Sequence, residues 1–512
     1  MKKVMSTLLA VMMLLSMLSG CQTDESPYVP TGSGLTVDED AGAATLPQDS
    51  DQALTLTYYP ERTMNPLLST DFTNRALFSL LYQSLFSVDR NYEVEPQLCK
   101  NYRISKDMKT YTFYIADATF TDGSSLTIED VAASLLAARE STYYGGRFSQ
   151  INEITISEDG GVTITTKVPM ENLPILLDIP IIKATQLQEN APLGTGPYYL
   201  DTAAQMPVLR RNTLWWCGAD MVVTAPAITL LKATSIAEIR DDFEFNGLDL
   251  VCADPGSDRY ADYRCDYELW DCETGIFLYL ACNMESPAFS DPQVRAALTY
   301  GIDRETLASD YYRGFARAAS LPMSPQSPYY SATLAARYAY DPEKFNQTVA
   351  SNSAAKKDIV LLVNADDSLR LRVAKAIAEM LNAAGMKVTL SEKNTKDYQS
   401  ALKRKDFDLY LGQTKLSPNM DLNVFFSSKG TLKYGGISDP AIASLCSEAL
   451  ANHGNYFTLH KQVMDDGRLC PILFRSYAVY ATRGLLTGLT PSRDNVFYYS
   501  LGRSMEKARL EN

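Results

Sequence analysis

The chain has 512 residues, 46% of them apolar and 21% charged, with a formal net charge of −14. That composition is ordinary for a globular protein and ample for a large core, and at about 100–200 residues per domain it implies two or three domains. Such an acidic surface is repelled by phosphate backbones and anionic lipid headgroups, which argues against nucleic acid as a partner.

Met1-Lys2-Lys3 opens the chain with positive charge, and an apolar run follows from Val4 through Leu18. The run is too short for a comfortable membrane span and has the length of a signal-peptide apolar region. It ends in Leu18-Ser19-Gly20-Cys21, which resembles the bacterial lipoprotein box. Small residues there fit a peptidase groove, and the Cys21 thiol would accept a diacylglyceryl group. The alternative is an ordinary secretory signal with an incidental cysteine. On the lipoprotein reading residues 1–20 are removed, and the mature chain starts at Cys21 outside the cytoplasm, tied to the cell membrane by lipid. Residues 21–50 are then a disordered tether, because 22–50 are rich in Gly, Pro, Ser, Thr and Asp without apolar periodicity. No later stretch approaches transmembrane length.

The folded body is expected to begin near Ala53, where LTLTYY alternates like a strand. ALFSLLYQSLF (76–86) has the look of a buried helix, and YTFYI (111–115) of a strand. Thr127 with Asp130 three residues on marks a helix start. Residues 151–168 predict a hairpin turning at Asp159-Gly160-Gly161. Strands resume after Gly194. Asp291-Pro292 is a cap followed by proline at the first helical position, with Val294, Leu298 and Ile302 at helical spacing; Asp303 caps the next helix. DIVLLV (358–363), a helix from Ser368 with Val373, Ile377, Met380 and Leu381 on one stripe, MKVTL (386–390), a short helix through Tyr398 and Leu402, and FDLYLG (407–412) then follow. That β-α-β-α-β order implies parallel strands with right-handed crossovers. Ligands in such sheets bind beyond the carboxyl ends of strands, which places the residues after Leu411 at a crevice.

Little in the chain points to catalysis. Its two histidines, His453 and His460, lie seven apart on an expected helix with no ligand-spaced partner, and are expected to face solvent. No G-x-S-x-G elbow and no G-x-x-x-x-G-K-[ST] loop occurs. Gly194-Thr195-Gly196-Pro197 superficially resembles a phosphate loop, but the proline and the lack of a following helix make it a turn. Of the nine cysteines, Cys21 is the expected lipid site, and four of the rest (Cys252, Cys265, Cys272, Cys282) lie close together. None has C-x₂-C zinc spacing. Disulfides and buried free thiols both remain open.

An ordered set of motifs resembles the family 5 extracellular solute-binding proteins, the oligopeptide-, dipeptide- and nickel-binding components of ABC importers. It begins with Asn65-Pro66-Leu67-Leu68 and Leu81-Tyr82-Gln83-Ser84-Leu85. Val94-Glu95-Pro96-Gln97-Leu98, Ser105-Lys106-Asp107, Tyr111-Thr112-Phe113, Phe120-Thr121-Asp122-Gly123 and Leu126-Thr127-Ile128-Glu129-Asp130-Val131 follow. Gly194-Thr195-Gly196-Pro197-Tyr198, Arg211-Asn212, Trp215-Trp216, Asn283, Asp291-Pro292, Ile302-Asp303-Arg304 and Tyr340-Asp341-Pro342-Glu343-Lys344 complete it. The resemblance implies an α/β, two-lobed periplasmic-binding-protein-like fold of type II with an extra α+β subdomain. Lobe I would comprise 51–74, 191–283 and 477–512, the extra subdomain 75–190, and lobe II 284–476, with hinges near Asn283 and Ser476. It implies a monomeric solute-binding protein, not an enzyme, with no cofactor and no metal. Its partners would be a small-molecule or peptide-like ligand and the importer's permease and ATPase. The alternative is a surface sensor or pheromone-binding relative with the same fold and no transport.

The family's ligand-contacting segments map to Thr70-Asp71-Phe72 and to Gly412-Gln413-Thr414. Peptide binders carry an aspartate in a "G-W-x-A-D-Y" pattern that pairs with the peptide ammonium. Here the tryptophan position is Gln413 and the aspartate position is Leu416, with Lys415 beside it. Either Asp71 or Asp421 takes over that pairing, or the ligand lacks a free amine. The second is the expectation, because Lys415 opposes a cation; the ligand is then a neutral or anionic solute or a blocked peptide. Gln413 and Thr414 would supply its hydrogen bonds and Phe72 a packing face.

Overall fold

The computed structural model describes residues 54–204, 206–217, 225–257, 260, 262–486, 488–503 and 509–510. The expected leader, Cys21 and the tether lie outside the described residues. The alternating segment Leu54–Tyr58 is a strand, as expected. It runs parallel to Ala227–Lys232, which pairs antiparallel with Val208–Arg211 and through it with Tyr198–Asp201.

The chain between these strands builds a second sheet from Cys99–Ile104, Thr110–Ile115, Val162–Thr166 and Ile151–Ile156, with Arg509–Leu510 added at one edge. The expected hairpin is present, and Gly160 turns it at φ +84°. Helix Ile128–Glu140 starts at a complete capping box, in which Thr127 and Asp130 each bond the other's backbone N–H. Its buried side, with Val131, Leu135 and Ala138, faces the core.

The helix expected over 76–86 is instead a single one-turn helix, Phe78–Leu81, preceded by another, Phe72–Arg75, and followed by the strand Phe86–Val88. Leu80, Leu85 and Phe86 are all fully buried, so the run is apolar on every side and carries no period that separates helix from strand. Long-range contacts decide its shape. The Leu81 carbonyl accepts from the Gly196 N–H at 3.0 Å, and Tyr82 leaves the helix extended. Gly194-Thr195-Gly196 forms no hydrogen-bonded turn, only a bend that begins at Gly196, and it presses backbone to backbone on this segment. A Cβ at Gly196 would lie 2.4 Å from the Leu81 carbonyl carbon. Gly196→Ala is therefore expected to destabilise the protein by about 1–3 kcal/mol, the usual cost of overpacking. An unchanged urea midpoint in the variant would contradict that clash.

The largest sheet has the order Leu250–Ala253, Leu469–Thr482, Tyr267–Cys282, Leu409–Lys415, Asp358–Asn364, Lys387–Lys393, with Ala316–Ala318 also on Leu469–Thr482. The β-α-β-α-β unit is present: Asp358–Asn364 is parallel to both Lys387–Lys393 and Leu409–Lys415. Helix Ser368–Ala383 buries Val373, Ile377 and Leu381 completely, is capped by Asp367, and gives way at Gly385 with φ +94°. Asp291 and Asp303 cap Pro292–Ala297 and Arg304–Tyr312, as expected. The pairing of Tyr267–Cys282 with Leu469–Thr482 shifts register between Glu273 and Ile276, opposite Ser476 and Arg475. Gly275, at φ +69°, takes up that bulge.

The eight cysteines among the described residues are free thiols, five of them buried and three, Cys217, Cys252 and Cys265, only partly so. Topology explains the nearest case. Cys252 pairs with Val479 on one side of strand Leu469–Thr482 and Cys272 with Tyr477 on the other. Two strand spacings, roughly 10 Å, separate them, beyond disulfide reach. The histidines are not a solvent-facing pair. His460, on helix Tyr456–Asp466, is fully buried, and His453 is partly buried against Tyr329 at 4.2 Å between rings. The helix that carries His460 packs that side inward, where Leu459, Val463 and Met464 are also buried.

Candidate functional site

Phe72 and Gln413 come from distant segments and converge on one strand. Asp71 caps helix Phe72–Arg75 by accepting from the Asn74 N–H at 3.0 Å and pairs with Arg62. That holds Phe72 with its ring centroid 4.1 Å from that of Tyr477. Gln413, on Leu409–Lys415, accepts from Arg475 Nη1 at 3.2 Å, and Arg475 Nη2 donates to both Asp254 oxygens at 2.8 and 2.9 Å. Residues two apart on a strand share a face, so Arg475 and Tyr477 present Gln413 and Phe72 to the same side. Thr70 is exposed beside Asp71.

Strand alternation sends Thr414 to the other face from Gln413, so these two neighbours are not one cluster. Thr414, Leu416 and Asp421 instead wall a cavity of about 140 Å³ with Tyr143, Arg147 and Arg493. Leu416 is buried, and its N–H donates to the Gly275 carbonyl at 3.0 Å. Asp421 is buried too. Its carboxylate accepts from Gln150 Nε2 at 3.0 Å, Ser149 Oγ at 3.4 Å and the Asn423 N–H at 2.9 Å. Burial nonetheless pushes its pKa above the ordinary carboxylate value.

Lys415, which also lines this cavity, forms a salt bridge with Asp494. Lys415 Nζ also donates to Tyr143 Oη at 2.6 Å, and the Tyr143 hydroxyl donates to Asp494 at 2.6 Å. Burial pulls the Lys415 ammonium down to about 8, against the attraction of Asp494. Burial works to raise the Asp494 carboxyl, but the Lys415 charge and its hydrogen bond outweigh it and hold the group below its ordinary value. The Arg75 guanidinium lies 3.3 Å from the Tyr143 ring centroid. A second cavity of about 80 Å³ shares Tyr143, Arg147 and Arg493 as walls and adds Arg75.

Sequence reasoning missed Tyr143, Arg147, Arg493 and Asp494. Ser492-Arg493-Asp494-Asn495 has the composition of a turn, but nothing local shows that the turn enters this cavity wall. Among the described residues no group of His, Cys, Asp and Glu is placed to hold a metal ion.

A model of the bacterial extracellular solute-binding proteins, family 5 (middle region), matches residues 93–434, more than half of the chain. The chain belongs to that family. A Brucella ovis protein, provisionally named an ABC transporter peptide-binding protein, is 24% identical over 400 residues, covering 71% of this chain and 74% of its own. Among solved structures, the ABC transporter substrate-binding protein CtaP of Listeria monocytogenes superposes with a TM-score of 0.69 at 17% identity, over 87% of this chain and 97% of that one. The Bacillus subtilis oligopeptide-binding protein AppA, in complex with a nonapeptide, gives 0.60 at 19% identity, over 88% and 99%. The fold is therefore the family's two-lobed, periplasmic-binding-protein-like α/β fold with its extra subdomain. Family 5 proteins bind solutes, and no described helix is long and apolar enough to cross a membrane.

Proposed function

We propose that this protein is anchored through lipid on Cys21 and captures a small organic or peptide-like solute between its lobes for delivery to an ABC importer. In this reading Thr414, Leu416 and Asp421 line the pocket that takes the ligand, and Thr70, Asp71, Phe72 and Gln413 form a second ligand-contacting patch on the other side of strand Leu409–Lys415. Lobe I is 51–74, 191–283 and 477–512, the extra subdomain 75–190, and lobe II 284–476. The observation that carries it is the convergence just described: three separate chain segments, around Tyr143, Thr414 and Arg493, wall one cavity of about 140 Å³. Ligand sites of this kind form where domains meet. Closure would pivot at hinges near Asn283 and Ser476, the second of which faces the Glu273–Ile276 bulge.

The ligand in this reading lacks a free amine. A buried ammonium needs a carboxylate partner. Asp71 is engaged by Arg62 and its own helix, Asp421 by Ser149, Gln150 and Asn423, and Asp494 by Lys415 and Tyr143. Calorimetry with free and amino-acetylated di- to hexapeptides tests this. Free peptides should bind no better than acetylated ones; submicromolar binding that acetylation abolishes would refute it. Phe72→Ala should weaken binding of the captured solute about two- to tenfold, through loss of a packing face worth roughly 0.5–1.5 kcal/mol. Release of a Cys21→Ser protein from membranes tests the anchor, since stable attachment needs two acyl signals.

A further inference from the structure

The turn Ser492–Asn495 is closed by paired backbone bonds, Ser492 N–H to Asn495 O at 2.9 Å and Asn495 N–H to Ser492 O at 2.7 Å. Its two central residues have positive φ, +40° at Arg493 and +68° at Asp494, uncommon for side chains other than glycine. The turn splits its two charges. Asp494 meets Lys415 and Tyr143, and Arg493 stands over Tyr92 at 5.2 Å.

Arg493 is 6% exposed, yet its Nε and Nη1 have no hydrogen-bond partner. An arginine does not shed its proton, so these are charged donors inside the protein, where such donors are expected to be satisfied. The carboxylates around it are committed elsewhere: Asp494 to Lys415 and Tyr143, Asp178 to Arg147, Glu273 to Tyr92 and Ser324. Arg75, also buried, has an unpartnered Nε and walls the smaller cavity with Arg493.

We infer that Arg493 is the anchor for a carboxylate of the captured solute, with Arg75 supporting it across the smaller cavity. This rests on the solute-capture reading. A planar guanidinium fork matches a carboxylate in shape and pairs with it through charge-assisted bonds. The three nearby acids favour a singly charged carboxylate over a phosphate dianion, which they would repel more strongly.

The test incubates purified protein with yeast extract, native or methyl-esterified at its carboxylates, identifies captured solutes by native mass spectrometry, and measures their affinities. Every captured solute should carry a carboxylate, and its methyl ester should bind at least a hundredfold more weakly. Arg493→Gln should lose a similar factor, and Arg493→Lys, which keeps the charge without the fork, should fall between. Equal capture of the esters, capture of solutes without a carboxylate, or inorganic phosphate binding to Arg493 in their place would overturn the assignment while leaving solute capture standing. No capture by the wild-type protein from native extract would overturn both. If Arg493→Gln does not fold, the acid-against-ester comparison on the wild-type protein decides alone.

Discussion

Acidification from pH 7 to pH 4 is expected to remove about 3 kcal/mol of stability through His460 alone. Burial lowers its pKa from 6.5 to about 3, and neither ring nitrogen has a hydrogen-bond partner. The unfolded chain takes up the proton near 6.5, whereas the folded protein resists it until about 3. The contribution is therefore intact above 6.5 and is lost progressively as pH falls toward 3, at about 1.4 kcal/mol per pH unit. His460→Leu removes the titrating group at similar volume. Urea unfolding at pH 7, 5.5 and 4 should show the wild-type protein losing about 3 kcal/mol more than the variant. Parallel pH profiles for the two proteins would refute a neutral, buried His460.

Asp494→Asn is expected to cost up to about 3 kcal/mol, the lower end for a broken buried pair, because it leaves the partly buried Lys415 charge without its carboxylate. Asparagine tolerates the +68° φ of this position, so the backbone of the turn is preserved and the loss reports charge. Adding Lys415→Met should recover most of it, since removing both charges together is far less costly than removing one. The penalty of the single variant should shrink as pH rises toward about 8, where the paired Lys415 of the wild-type protein gives up its own proton, and should level off above it. A double variant as unstable as the sum of the two singles would show that the pair is not coupled.

What could be read from the chain beforehand was local. Leu54–Tyr58 alternates, Thr127 and Asp130 form a cap, and Gly385 stops a helix, each through contacts within a few residues. The β-α-β-α-β unit was legible for the same reason, since its period and its stops lie within each element. Residues 76–86 were not, because a run buried on all sides has no period and the Gly194–Gly196 segment shapes it from afar. The sequence predicts a solvent-facing His460 because one side chain does not reveal which side of its helix faces the core. On the candidate site, the absence of an aspartate at Leu416 was visible, but not the neutralisation of Lys415 by Asp494, which lies 79 residues away. Pairings of that kind belong to the tertiary fold and leave no local trace.

Strand Leu469–Thr482 has consequences for the order of assembly. It lies between Leu250–Ala253 and Tyr267–Cys282 in the sheet, although Thr274 and its partner Arg475 are 201 positions apart in the chain. Neither neighbour can pair with it until the whole intervening segment has been made and brought together, and closing so large a loop is paid in chain entropy before any contact rewards it. The β-α-β-α-β unit lies inside that segment and can form first from nearer contacts. The two halves of the largest sheet should then join late and slowly, leaving the newly made chain open for longer than its β-α-β-α-β unit.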